Sequence, residues 1–312
     1  MKRIFFFFFF MLLGPFLSFA QVDTSEYRKP EMYATALNYH LQQLQRQPAS
    51  AYQAHQVACY FALQQQLDSM LRYALLALRN GDRPEALLVD TDFESCHNAS
   101  QWATLRDTIR GQLLRRNVGI THPELAWELW LMGVEDQRPR TLRQYHKTGI
   151  PSDDGFKQRE ARILDIVSTY GWPTFSMVGH EAATAAFLVV QHTNAIVTCL
   201  PKLIEAAKAG EAELRHAAMM IDRYLCMRNR PVQIYGTQFR RDVSMDFATG
   251  VLSLSTTSRP VPIADLAGLA ARRERVGLPL FEESCREQQA DGQPVQNAGR
   301  IRRRWVRRGY LL

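Results

Sequence analysis

The 312-residue chain contains no C-x-x-C pair, no G-x-S-x-G turn, no phosphate-cradling glycine loop and no C-x-x-C-H run. Zinc ribbons, thioredoxin-like redox centres, nucleophile-elbow hydrolases, P-loop nucleotide chemistry and covalently attached haem are thereby excluded. No motif calls for a cofactor or a metal. After its first residues the chain has no unbroken apolar stretch near the roughly 20 residues of a spanning helix, so no transmembrane segment is expected. Acid is absent from the last thirteen positions, which hold Arg300, Arg302, Arg303, Arg304, Arg307 and Arg308. The formal charge of +7 therefore resides in this end and in Lys2 and Arg3, and the body between them is nearly neutral. A neutral body argues against specific nucleic-acid binding. The arginine-rich end could touch an acidic membrane surface, a nucleic acid or an acidic partner, but such ends are more often solvated, and residues 289–312 read as a basic, disordered tail.

Cysteine is sparse, with Cys59, Cys96, Cys199, Cys226 and Cys285 scattered along the sequence. In an oxidising compartment, Cys59 with Cys96 or Cys199 with Cys226 are the pairs that could bridge. Buried free thiols fit equally well, and the odd number leaves at least one free.

What is present begins with an export leader. Lys2 and Arg3 precede an apolar run from Ile4 to Leu13 with six consecutive phenylalanines, then Gly14-Pro15 and the small residues Ser18 to Ala20. The run is too short to span a bilayer, so residues 1–20 read as a cleavable signal peptide. Cleavage after Ala20 leaves Gln21 first, in a periplasmic or secreted protein.

From Pro30 to about Leu114, apolar residues recur at spacings of three and four among good helix formers. Pro48 with Ser50 separates two helices, and Asn80-Gly81-Asp82 ends another. Ala58 and Phe61 are expected to face a helix carrying Met70, Tyr73 and Ala77. The spacing from Ala58 to Met70 to Ala77 resembles that of the small-residue positions of a tetratricopeptide repeat, with Gln65 where the turn glycine is expected and the proline displaced to Pro84. Leu88 to Phe93 and Gln101 to Leu105 resemble a segment found after such repeats in exported bacterial proteins. Residues 21–114 are thus expected to form a tetratricopeptide-like helical domain.

Residues 115–288 read as a second, all-helical domain with a small β-hairpin. Helices are expected from Glu124 to about Gln137, Phe156 to Tyr170, Gly179 to Thr193, Pro201 to Ala209, Glu213 to Arg228 and Ala264 to Val276. Pro151 to Gly155 is a turn. The alternation Val243, Met245, Phe247, then Leu252, Leu254, broken by Thr249-Gly250, marks the hairpin. The overall fold class is mainly α.

Several segments of this region, in order, carry a family resemblance. They are Asp136-Gln137 with Arg140, Tyr170-Gly171-Trp172-Pro173, Val178-Gly179, Ala182 to Phe187, Gln191-His192, Leu200-Pro201, Asp222-Arg223, Tyr235-Gly236-Thr237-Gln238, and Ala271-Arg272-Arg273 with Gly277-Leu278-Pro279. From about residue 120 to 285 the chain resembles an uncharacterised bacterial family, domain-of-unknown-function family 6624. The resemblance implies no settled activity. Asn194 and the apolar Ala195-Ile196-Val197 depart from the more polar stretch expected after His192.

Among residues that could carry chemistry, His180-Glu181 lacks the second histidine of a zincin, since position 184 is threonine. His192 cannot replace it, because eleven residues of helix from Glu181 span about 16 Å. His192 is the candidate catalytic acid or base, oriented by Asp136, Asp222 or Glu181; the competing reading is a cation at a helix C-terminus. Asp136, Gln137, Arg140, Trp172, Gln191, Asp222, Arg223, Tyr235 and Gln238 are candidate ligand-binding residues. Asp136-Arg140 and Asp222-Arg223 would equally serve as structural ion pairs, and Tyr235 to Gln238 as a rigid turn. The function expected is a scaffold binding a protein or peptide partner through its N-terminal helices. The alternative is a hydrolase-like small-molecule enzyme built on His192.

Overall fold

A computed structural model describes residues 29–144, 155–227, 231–245, 252–288, 290 and 299–312. The expected leader, the turn at 151–154 and the hairpin tip with Phe247 and Thr249-Gly250 lie outside the described residues. The fold is mainly α with one small antiparallel hairpin among those residues, and no described helix is long and apolar enough to cross a membrane. All five cysteines are buried free thiols. The described residues divide into two compact units, one made of residues 29–159 and 176–189, the other of 160–175 and 190–312.

In the first unit, α1 (Tyr33–Arg46), α2 (Ala51–Leu63) and α3 (Leu67–Arg79) are successive helices packed as neighbours. Ser50 caps α2 by accepting the Gln53 amide at 3.2 Å, satisfying a donor that the helix leaves open. Ala58, Met70 and Ala77 are fully buried, and the rings of Phe61 and Tyr73 stack at 5.4 Å, so the small-residue pattern does bring α2 and α3 together. The α2–α3 turn requires a left-handed residue, which is why glycine is favoured there. Gln65 occupies it at φ 58°, a conformation costing an L-residue roughly 1 kcal/mol. Its amide offsets this by donating to the Ala62 carbonyl at 3.2 Å and the Ser95 hydroxyl at 2.7 Å.

α3 ends as its glycine predicts: Gly81 sits at φ 93°, and the Asp82 amide returns to the Ala77 carbonyl at 2.9 Å. This closure points Asp82 back toward α2. After α4 (Pro84–Val89) and a 3-10 turn come α5 (Ser100–Arg116) and α6 (Pro123–Gln144). α6 continues through Pro139, past the end expected at Gln137. A Cβ on Gly133 of α6 would lie 2.5 Å from Ala185 Cβ, so this glycine permits the close approach of α6 to α8 (Phe175–His192).

In the second unit, α7 (Phe156–Tyr170) is tied to α9 (Ile196–Lys208) where Lys202 Nζ donates to the Val167 carbonyl at 2.6 Å. α10 (Leu214–Cys226) follows. β1 (Phe239–Met245) and β2 (Leu252–Pro260) pair antiparallel, Phe239 opposite Pro260 and Met245 opposite Leu252, with an irregularity between Arg241 and Val243. The expected helix at Ala264 to Val276 is shorter, α11 (Leu269–Arg275), and α12 (Phe281–Glu287) is an addition to the sequence reading.

The basic end differs from its expectation as a disordered tail. Residues 299–312 carry α13 (Arg303–Arg307), and Trp305 and Tyr310 are buried. The physical reason is that arginines alternate with apolar anchors there: Arg302 lies over the Trp305 ring at 5.3 Å, and the charged heads of the other arginines stay exposed.

Candidate functional site

Two buried polar assemblies stand out, one in each unit. The first is centred on Asp222 of α10, which has no solvent exposure. Its Oδ1 accepts the amides of Ile234 at 2.6 Å and Tyr235 at 3.1 Å. Its Oδ2 accepts the amides of Tyr235 and Thr237, each at 3.1 Å, and the Thr237 hydroxyl at 2.9 Å. Burial raises the Asp222 pKa, while these donors pull it down. Every neighbour is a donor, so the carboxylate oxygens act as the acceptors that close the Tyr235 to Gln238 turn.

The opposite side of the same turn is held by two arginines of α11. Arg273, only 2% exposed, donates from Nη1 to the carbonyls of Tyr235 at 2.7 Å and Gly236 at 3.1 Å. Its remaining donors reach Pro279 O at 2.8 Å and Ser284 Oγ at 2.6 Å. Arg272 donates to Ile234 O at 3.0 Å and pairs with Asp265 at 2.7 Å. A carboxylate thus takes the loop's N–H groups and guanidinium groups take its C=O groups, which is how an irregular buried backbone satisfies its polar atoms.

The loop's side chains extend the clamp. Gln233 Nε2 donates to Gln238 O at 3.0 Å and Val261 O at 2.7 Å, and its Oε1 accepts the Gln238 amide at 2.7 Å. The Tyr235 hydroxyl donates to Tyr310 O and accepts from Leu312 N, both at 2.9 Å, fastening the basic end to the loop. Gly236 sits at φ 71°, a strained angle for an L-residue, and a Cβ there would lie 3.0 Å from the Phe281 ring, so glycine suits the position best. Asp222, Tyr235, Gly236, Thr237, Gln238, Arg272, Arg273 and Pro279, which belong to separate segments of the family resemblance, therefore meet in one knot.

The remaining sequence-predicted residues lie elsewhere. Asp136, Gln137 and Arg140 run along α6 in the first unit, Gln137 Nε2 donating to Asp136 at 2.6 Å and Arg140 donating to Gln137 Oε1 at 3.0 Å. His192 ends α8, half-buried, and Arg223 is half-buried on α10. Gln191 is 1% exposed and neither atom of its amide has a hydrogen-bond partner among the described residues, nor does the buried Trp172 indole N–H. Glu181 is bonded by Arg116 at 3.0 Å.

The second assembly went unnoticed in the sequence. His55 of α2 has no solvent exposure; its Nδ1 meets Asp82 Oδ2 at 2.6 Å and its Nε2 meets Asp90 Oδ2 at 3.0 Å. Cys59, one helical turn on, donates to the same Asp90 oxygen at 3.5 Å. Asp90 Oδ1 accepts the Asp92 amide at 3.0 Å, starting the 3-10 turn. Burial opposes a charge on His55, but Cys59, Asp82 and Asp90 together outweigh it and raise its pKa well above the ordinary value. The one local signal of it is a histidine and a cysteine four apart on α2, a helix whose other polar side chains include Gln53 and Gln56. Asp82 read only as part of a helix stop.

These features define a mainly helical protein with a clamped loop in one unit and a buried histidine centre in the other. Residues 147–295, just under half of the chain, match DUF6624, a family of unknown function, so the family resemblance holds over that segment. Asp136, Gln137 and Arg140 precede the matched region, and the clamp residues from Asp222 to Ser284 lie inside it. No curated protein and no solved structure matches the chain.

Proposed function

We propose that this is an exported helical protein whose N-terminal helices bind a peptide or protein partner. The observation that carries the reading is an exposed aromatic step on α1 and α2. Tyr39 and Tyr52 are 48% and 42% exposed, and both rings pack on His40, at 5.1 and 6.4 Å between centroids. His40 is itself fixed, stacked on Tyr60 at 5.6 Å and bonded to Gln53 at 2.7 Å. Tyrosines held this way offer large amphipathic contact area with little rotamer freedom left to lose, the quality that enriches them at interfaces. The hydrolase alternative has less support, because Asp222 and Gln238 are buried and engaged within the loop clamp rather than lining an open wall.

The test is selection from a displayed random-peptide library on the purified protein, with Tyr39→Ala and Tyr52→Ala as counter-selections. Enriched sequences whose binding weakens about tenfold or more in either variant are expected, a loss of about 1.4 kcal/mol. No enrichment, or binding indifferent to both tyrosines, overturns the scaffold reading. Export is tested by the N-terminal mass of chain recovered from the secreted or periplasmic fraction, expected to begin at Gln21; intact Met1 in the cytoplasm refutes it.

A further inference from the structure

We infer that His55, Cys59 and Asp90 constitute a binding site for one divalent metal ion of the zinc type. His55 and Cys59 stand four residues apart on α2, which puts both on one helix face. Asp90 reaches them from the junction between α4 and the 3-10 turn. Their ligand atoms, a ring nitrogen of His55, Sγ of Cys59 and a carboxylate oxygen of Asp90, all lie within 4.8 Å of one another. The individual separations are 3.0 Å from Nε2 to Asp90 Oδ2 and 3.5 Å from Sγ to the same oxygen. Ordinary zinc bonds in a tetrahedron place N, S and O ligand atoms roughly 3.4 to 3.6 Å apart. The two pairs that share the Asp90 oxygen need shifts of only a few tenths of an ångström, and the His55 nitrogen and Cys59 sulfur, within 4.8 Å of each other, need to close by no more than about 1.2 Å to surround an ion.

The surroundings hold two of these ligands in the attitude that metal binding needs. Asp82 accepts the His55 Nδ1–H at 2.6 Å, which fixes the ring and leaves Nε2 directed at the Asp90 oxygen that Cys59 also meets. This is the carboxylate–histidine arrangement that backs metal-ligating imidazoles. Asp90 is steadied in turn through its other oxygen by the Asp92 amide at 3.0 Å. A donor set of one nitrogen, one sulfur and one carboxylate oxygen selects zinc over magnesium or calcium, which take oxygen ligands, and leaves one tetrahedral position for water.

Proton and charge balance also agree with the burial. The ion displaces two protons to solvent, the thiol proton of Cys59 and the one shared between His55 Nε2 and Asp90 Oδ2. What remains is a dication with one thiolate, one carboxylate and a neutral imidazole, so the ligand set is neutral and the centre, counting the Asp82 carboxylate at Nδ1, keeps the same total charge it had before loading. Because all three side chains are shielded from solvent, loading accompanies closure of α2 against the α3–α4 turn.

The experiment is a Co(II) titration of the purified chain, unfolded in chelator and refolded with the ion, followed by Zn(II) competition. One equivalent of Co(II) is expected to give a thiolate-to-cobalt charge-transfer band with the intense visible bands of a four-coordinate centre, and Zn(II) to remove both. Cys59→Ser loses the charge-transfer band, Cys96→Ser keeps it, and Asp82→Asn retains it with affinity lowered about 10- to 100-fold, as for a second-layer partner. Absence of the band in the unaltered chain, or its persistence in Cys59→Ser, overturns the assignment. The unaltered chain decides by itself if the serine variant does not refold.

Discussion

Replacing Asp222 by asparagine probes the clamped loop directly, because the exchange preserves shape while removing charge and one acceptor. If the asparagine oxygen keeps the Ile234 and Tyr235 amides at the Oδ1 position, its NH₂ group must face the Thr237 amide, now 3.1 Å from Oδ2. One buried backbone N–H is then orphaned, at a cost of about 1 to 3 kcal/mol. The bonds that survive fall from charge-assisted to neutral, about half their strength. Relief of burying a carboxylate offsets part of this, so a net loss of about 2 to 4 kcal/mol is expected. Alanine would orphan three amides, a loss comparable with the whole stability of a domain, and is the less informative variant. The assay is urea unfolding followed by circular dichroism, joined to amide hydrogen exchange of the loop. The Ile234, Tyr235 and Thr237 amides are expected to lose protection together, ahead of the α10 amides. A stability change below about 0.5 kcal/mol, or loop amides that exchange no faster, would refute the claim that the carboxylate holds the turn.

Two further outcomes follow from the same unit. Gly236→Ala should cost about 2 to 4 kcal/mol in urea unfolding, combining an L-residue's penalty at φ 71° with a Cβ 3.0 Å from the Phe281 ring; a loss within 0.5 kcal/mol contradicts it. His216 is lowered from 6.5 to about 3, first by burial and then by Arg215. The folded state therefore keeps it neutral while the unfolded chain gains a proton below pH about 6.5, so this contribution is fully present above that pH and declines toward pH 3. The slope is at most about 1.4 kcal/mol per pH unit, and His216→Gln should flatten it in unfolding measured between those limits; an unchanged slope removes His216 as the cause.

Much of the architecture follows from local chemistry alone. Helix positions in α2, α3, α7 and α10 were legible because apolar spacing, Ser50, Gly81 and the Gly171-Trp172-Pro173 break act within a few residues of the structure that they dictate. The hairpin strands were legible from their alternation, and the family resemblance from rare segments in order. The same local signals misplaced the end of α6, because helical packing carries the chain through Pro139, and left α12 and the basic end without a regular structure. Trp305 and Tyr310 carry no period, and their burial depends on partners far away in the sequence.

What the sequence by itself determined is thus the fold class, most helix positions and the list of unusual polar residues. Which of those residues cooperate was decided only in three dimensions. Asp222 lies 13 positions before Tyr235 and Arg273 lies 38 after it, and their common purpose emerges when α10 and α11 grip opposite edges of one loop. His55, Asp82 and Asp90 were less visible still, since a lone histidine and two turn aspartates are unremarked until the α3 closure brings Asp82 to one ring nitrogen and the end of α4 brings Asp90 to the other. Spacing along a chain encodes neighbours within a helical turn. Contacts between residues dozens of positions apart depend on how helices pack, and packing is a property of the whole assembly of side chains.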